Sequence, residues 1–180
     1  MGPIIGEQLR FFTSARATFK SYMQPLKVFI HLSKMSYGIA GMKPDTAQRI
    51  EQNLKNTESA FYLGPKYEHM LDYADDVDPD TERMHRITNE HDHYYSYLYV
   101  ALYLLQFESQ WRNAGFPIDG RPEILSTLYN LGHNRSTPKQ NPDAGGAVIT
   151  IDAKQYSFGG LAYDFYWSGE MLDLFPFNEK

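Results

Sequence analysis

Ser36-Tyr37-Gly38-Ile39-Ala40-Gly41-Met42-Lys43-Pro44-Asp45-Thr46-Ala47 is the stretch on which the fold turns. Gly38 and Gly41 mark a turn, because glycine enters the positive-φ conformations that tight turns require at no steric cost. Pro44 then stands at an early helical position, where the N–H that proline lacks would have had no partner anyway. Helix-forming residues continue to Leu54. The stretch therefore reads as a loop feeding directly into a helix.

Toward the N-terminus, Ile4 to Phe19 reads as a first helix, with Pro3 just inside its start and Ile5, Leu9, Phe12 and Arg16 on one face. Pro25 opens a second segment, Leu26 to Leu32. Toward the C-terminus, Asn53 to Lys66 reads as a linker, Tyr67 to Tyr73 as a short helix and Asp75 to Asp80 as an exposed acidic loop. Thr81 to Asn113 is the longest helical stretch, ended at Ala114-Gly115. Its expected buried stripe is Leu98, Ala101 or Leu102, Leu105 and Ser109 to Trp111. Pro122 to Leu131 reads as a helix closed by Gly132, and Thr137 to Gly146 as a loop. Ala147 to Asp152 reads as a short strand, and Tyr156 to Phe175 as a last helix interrupted near Gly159-Gly160 and Ser168-Gly169. The fold class predicted is mainly α with at most a small β element, in one domain over residues 1–180.

Composition narrows the function. The 17 basic and 22 acidic side chains leave a net charge of −5, which argues against a general nucleic-acid binder. Without cysteine there is no disulfide scaffold, thiolate metal site or cysteine nucleophile. No continuous apolar signal segment is visible in residues 1–30, where Arg10, Arg16, Lys20 and Lys27 are interspersed. The longest uncharged apolar stretch, Tyr94 to Phe107, has 14 residues. A bilayer requires about 18, so no transmembrane segment is expected and this stretch reads as a core helix. Charge is uneven: Met1 to Lys43 holds six basic residues and one acid, Glu7, while Asp72 to Glu82 holds five Asp and one Glu.

Two segments together resemble the lysozyme-like superfamily, in particular lytic transglycosylases and goose-type lysozymes. Ser36 to Ala47 is similar to that family's Gly-Leu-Met-Gln-type turn and Pro-x-Thr-Ala helix start. Leu125-Ser126-Thr127-Leu128-Tyr129-Asn130-Leu131-Gly132 is similar to its helix ending in Ala-Tyr-Asn-Ala-Gly. Between them Tyr99-Val100-Ala101-Leu102-Tyr103-Leu104-Leu105 resembles the central helix. The resemblance spans roughly residues 4 to 135. It implies a lysozyme-like helical fold, cleavage of peptidoglycan glycan strands, action at the cell wall or periplasm, and no metal or cofactor.

The family uses one glutamate before the first motif. A general acid has to be neutral near pH 7, and burial against apolar walls favours that form. Glu7 is the only acid before Asp45, so it takes the catalytic role by position. Ser36, Tyr37, Gly38, Tyr129 and Asn130 take the substrate-binding roles. The resemblance further implies that Tyr129 supports the acid by a hydrogen bond and that Asn130 steadies the neighbouring turn. Two departures stand out. Glu7 precedes Ser36 by 29 residues, a longer gap than the better-known members use, and Gly41 stands where the family usually has glutamine. No second carboxylate is apparent near either motif, which suits a transglycosylase, in which the substrate's own hydroxyl attacks the anomeric carbon.

Two other readings stay open. One keeps the fold as a catalytically degenerate glycan- or protein-binding module; the other is a helical interaction protein without a sugar ligand. Elsewhere, His91 and His93 stand at i and i+2, about 200° apart on a helix, and cannot easily share a metal. Asp76-x-Asp78-x-Asp80 imitates a calcium loop but has Thr81 at the sixth position and Ile87 at the twelfth. Glu58-Ser59-Ala60-Phe61 imitates the family's Glu-Ser segment on the wrong side of the turn motif. The tyrosines from Tyr94 to Tyr103 offer either a stacking groove or a packed core helix.

Overall fold

A computed structural model describes residues 1–13 and 36–169. Within them lie six α-helices: α1 (Gly2–Thr13), α2 (Pro44–Lys55), α3 (Pro79–Thr88), α4 (Tyr94–Asn113), α5 (Pro122–Leu131) and α6 (Phe158–Ser168). One hairpin, β1 (Val148–Ile151) and β2 (Lys154–Ser157), pairs antiparallel with Val148 opposite Ser157. The described residues are thus mainly helical with a small two-stranded sheet. None of their helices is long and apolar enough to cross a membrane. The expected segment Leu26 to Leu32, and the parts of the first and last helices beyond Thr13 and Gly169, lie outside the described residues.

Helix α4 is the axis of the core. Tyr99, Tyr103, Phe107 and Trp111 are buried along it, each about one turn from the next. The buried face also includes Ser96, Val100, Leu102 and Gln106, so it is rotated from the expected stripe, and Leu98, Ala101 and Leu105 are not buried. Tyrosine and glutamine displace aliphatics there because their polar atoms find partners. The Tyr99 hydroxyl donates to Glu51 Oε1 at 2.5 Å, the Gln106 amide donates to the Ile50 carbonyl at 3.0 Å, and Trp111 Nε1 donates to Ser136 Oγ at 2.9 Å.

The long stretch from Thr81 to Asn113 is two helices instead of one. Helix α3 ends at Thr88, and Asn89 turns the chain by accepting the His91 and Asp92 N–H groups on its side chain. Asp75 to Val77 form the expected exposed loop, and only its end, from Pro79, becomes the start of α3. Asp78 caps it, accepting from the Thr81 N–H at 2.8 Å, with Pro79 in the first turn. Tyr67 to Tyr73 holds turns after a 3-10 turn, Pro65–Tyr67, not a short α-helix. The last helix starts at Phe158, because Tyr156 pairs with Ile149 in the hairpin. Gly159 and Gly160 lie inside its first turn and do not interrupt it. Phe158 is fully buried and lies against Gly6 of α1. Burying a side chain of that size contributes about 1.5–3 kcal/mol.

Arg83 is buried between α2 and α3. It binds Glu51 through Nε and Nη2 at 2.8–3.1 Å, and Tyr73 joins Tyr99 on the same carboxylate. Burial and Glu51 push the Tyr73 phenol up to about 12. This cluster welds the helix that follows the turn motif to the core.

Candidate active site

The Ser36–Met42 loop is closed on itself. Tyr37 and Met42 exchange backbone hydrogen bonds at 2.8 and 3.0 Å. Gly38 has φ +64, and a Cβ there would overlap the Ile87 carbonyl at the end of α3. The loop can pass under α3 only because that Cβ is missing. Gly41 has φ +59, and its missing Cβ leaves room for a different group. A Cβ there would lie 2.7 Å from Glu7 Cδ and would overlap Oε2. The position where the family usually carries glutamine is therefore the floor under the Glu7 carboxylate.

Glu7 lies mid-way along α1, on the side facing the loop and α5, and is only 8% exposed. Arg10, one turn further, holds Glu7 Oε2 at 2.6 Å. A guanidinium at that distance favours the carboxylate anion. Tyr129 of α5 closes the site from the other side. Its hydroxyl proton goes to the Ala40 carbonyl at 2.7 Å, so it does not also donate to Glu7. Through that bond Tyr129 braces the loop backbone that lies under Glu7. Burial and the Glu7 charge hold the Tyr129 phenol well above its usual range.

A cleft of about 320 Å³ opens between the two motif segments, with Glu7, Ser36, Gly41, Tyr129 and Asn130 in its lining. Of the predicted site residues, Glu7, Ser36, Tyr129 and Asn130 thus come together. Tyr37 and Gly38 do not reach the lining. Tyr37 packs against the core with its hydroxyl buried and unbonded, and Gly38 serves the close approach to α3. Asn130 Oδ1 accepts the Ala147 N–H at 2.8 Å, tying the end of α5 to the turn before β1. Glu58 is exposed in the turn after α2, away from the cleft.

The structure adds four residues. Arg10 is legible as the i+3 neighbour of Glu7. Asp45 also lines the cleft and supplies a second carboxylate, correcting the expectation that none is near. Arg49 follows Asp45 by one turn of α2 and lines the same cleft. His133 sits behind it, buried, and carries no sequence signal. Gln106 turns its Oε1 toward His133 Nε2 at 2.9 Å, because its own amide is committed to Ile50; this assigns the proton to Nε2. Burial and the Arg49 charge push His133 down to about 3, so it is neutral.

No protein-family model, curated protein or solved structure matches this chain.

Proposed function

We propose that this protein is a divergent lysozyme-like enzyme that cleaves the glycan strands of peptidoglycan, with Glu7 as general acid and base. The observation that carries the reading is the buried Glu7 carboxylate in a cleft between the two segments that resemble the family's motifs. In the reaction, protonated Glu7 donates its proton to the glycosidic oxygen and the bond from that oxygen to the anomeric carbon breaks. A hydroxyl then adds to the anomeric carbon and returns its proton to the Glu7 carboxylate. When the hydroxyl is the substrate's own, an anhydro-sugar leaves. When it comes from water, the product carries a reducing end.

The Glu7–Arg10 ion pair favours a second reading, in which the same cleft binds glycan without cleaving it. A guanidinium at 2.6 Å favours the charged carboxylate, whereas a proton donor has to be neutral. The two readings separate when purified peptidoglycan is incubated with the protein and with Glu7→Gln, and the released muropeptides are weighed by mass spectrometry. Anhydro-muropeptides from the parent and none from the variant are expected. Reducing-end products with the same dependence would make it a hydrolase. No release by either protein, where a control enzyme works, overturns the catalytic reading.

A further inference from the structure

The Glu7 cleft has a neighbouring lobe along α2. This second lobe, of about 570 Å³ with Gln52, Asn56 and Phe61 in its lining, shares Arg49, His133 and Asn134 with the cleft. Arg49 stands at the junction and belongs to both lobes. Its Nη1 donates to Asn134 Oδ1, a neutral partner that holds the guanidinium across the groove. Among the described residues no carboxylate pairs with Arg49 or Arg135, whereas Arg10, Arg83, Arg86, Arg112 and Arg121 each hold one; of the two, Arg49 lines the cleft.

Among the described residues the second lobe has no carboxylate in its lining, and Arg49 is the one charged side chain there. The Glu7 lobe adds Arg10 and Lys43 against Glu7 and Asp45, so the groove is positive in a chain of net charge −5. The field of Arg49 reaches inward as well, where it contributes to keeping buried His133 neutral. An unpaired arginine in a groove walled by side-chain amides is suited to an anion carried on a polar ligand. Carboxylate is the fitting anion, since the amides of Gln52 and Asn56 offer the paired donors and acceptors that a peptide-like group requires.

We infer that the second lobe is an anion-reading subsite, in which Arg49 binds a carboxylate on a substituent of the glycan whose backbone lies over Glu7. Arg49 is then a specificity-determining residue that selects acid-substituted glycan over neutral glycan. The inference rests on the glycan reading of the cleft and deepens it.

The test uses soluble disaccharide-peptide fragments of peptidoglycan and the same fragments with their carboxylates converted to amides. Binding to the parent, Arg49→Gln and Arg49→Lys is measured by titration calorimetry. Release from intact and amidated peptidoglycan is measured in parallel. The parent is expected to prefer the free carboxylate by about ten- to a hundredfold, the scale of one charge-assisted hydrogen-bonded pair. In Arg49→Gln the ratio between the two fragments should fall toward one, and Arg49→Lys should restore much of it. A merely structural role for Arg49 would weaken both fragments alike and leave the ratio unchanged, and that result overturns the inference. So does a parent that binds neither fragment or does not distinguish them. A Glu7-dependent cleavage with no carboxylate preference sinks the subsite and keeps the enzyme. A carboxylate preference without cleavage keeps the subsite and sinks the enzyme.

Discussion

Gly41→Ala adds one methyl group at the floor of the cleft, and the structure separates its two consequences. The first is conformational. At φ +59 an L-residue is less stable than glycine by about 1–2 kcal/mol, because its Cβ crowds the backbone. For a chain of this size that lowers Tm by about 2–8 °C. The second falls on Glu7. The new Cβ would lie 2.7 Å from Glu7 Cδ and 2.9 Å from Cγ, closer than carbon atoms approach. The carboxylate is the far end of a flexible side chain, so it swings away and the fold survives. The acid is then out of place by about an ångström, a displacement that reduces a positioned reaction by about a hundredfold. Gly120→Ala is the control, because Gly120 also has positive φ (+71) and a Cβ there meets nothing within 4 Å. Thermal unfolding followed by circular dichroism, together with muropeptide release, reads both effects. The two variants should melt lower by similar amounts, and only Gly41→Ala should lose release. If Gly41→Ala releases muropeptides as fast as Gly120→Ala, Gly41 does not set the position of the acid. Glutamine at this position carries the same Cβ and should do no better.

Two further outcomes follow from the site. Tyr129→Phe strips the Ala40 carbonyl of a buried donor at 2.7 Å and should lower stability by about 1–3 kcal/mol in urea unfolding; a variant as stable as the parent would mean that the loop finds another donor. His133 is held down to about 3 by burial and Arg49, whereas its unfolded imidazole takes a proton near 6.5. The unfolded chain therefore binds the extra proton between those values, and stability falls as pH drops through that window, by at most about 1.4 kcal/mol per pH unit. Urea midpoints at pH 7.5 and 5 should differ less in His133→Gln than in the parent, and equal differences would rule out His133 as a source of the slope.

The elements read from sequence succeed where a local rule acts alone. Helix α5 occupies Pro122–Leu131 with Gly132 beyond it, and α2 begins at Pro44, because proline and glycine act on their own backbone. The reading fails where a partner elsewhere decides. The break after Thr88 depends on the Asn89 side chain, and the strand at Tyr156 depends on Ile149 across the hairpin. The buried stripe of α4 was shifted by Glu51 and Ile50, which take up the polar atoms of Tyr99 and Gln106.

The candidate site divides in the same way. The sequence by itself determined which residues were eligible: a lone early acid, a two-glycine turn before a proline-started helix, and a tyrosine-asparagine pair near a helix end. Each depends on residue type and local spacing. Only the tertiary structure decided that Glu7 lies over Gly41, that the Tyr129 hydroxyl donates to the loop, and that Arg49 lines the cleft with no carboxylate partner among the described residues. Those are distances between segments dozens of residues apart, and packing sets them, because a Cβ at position 41 collides only after α1 has docked against the loop.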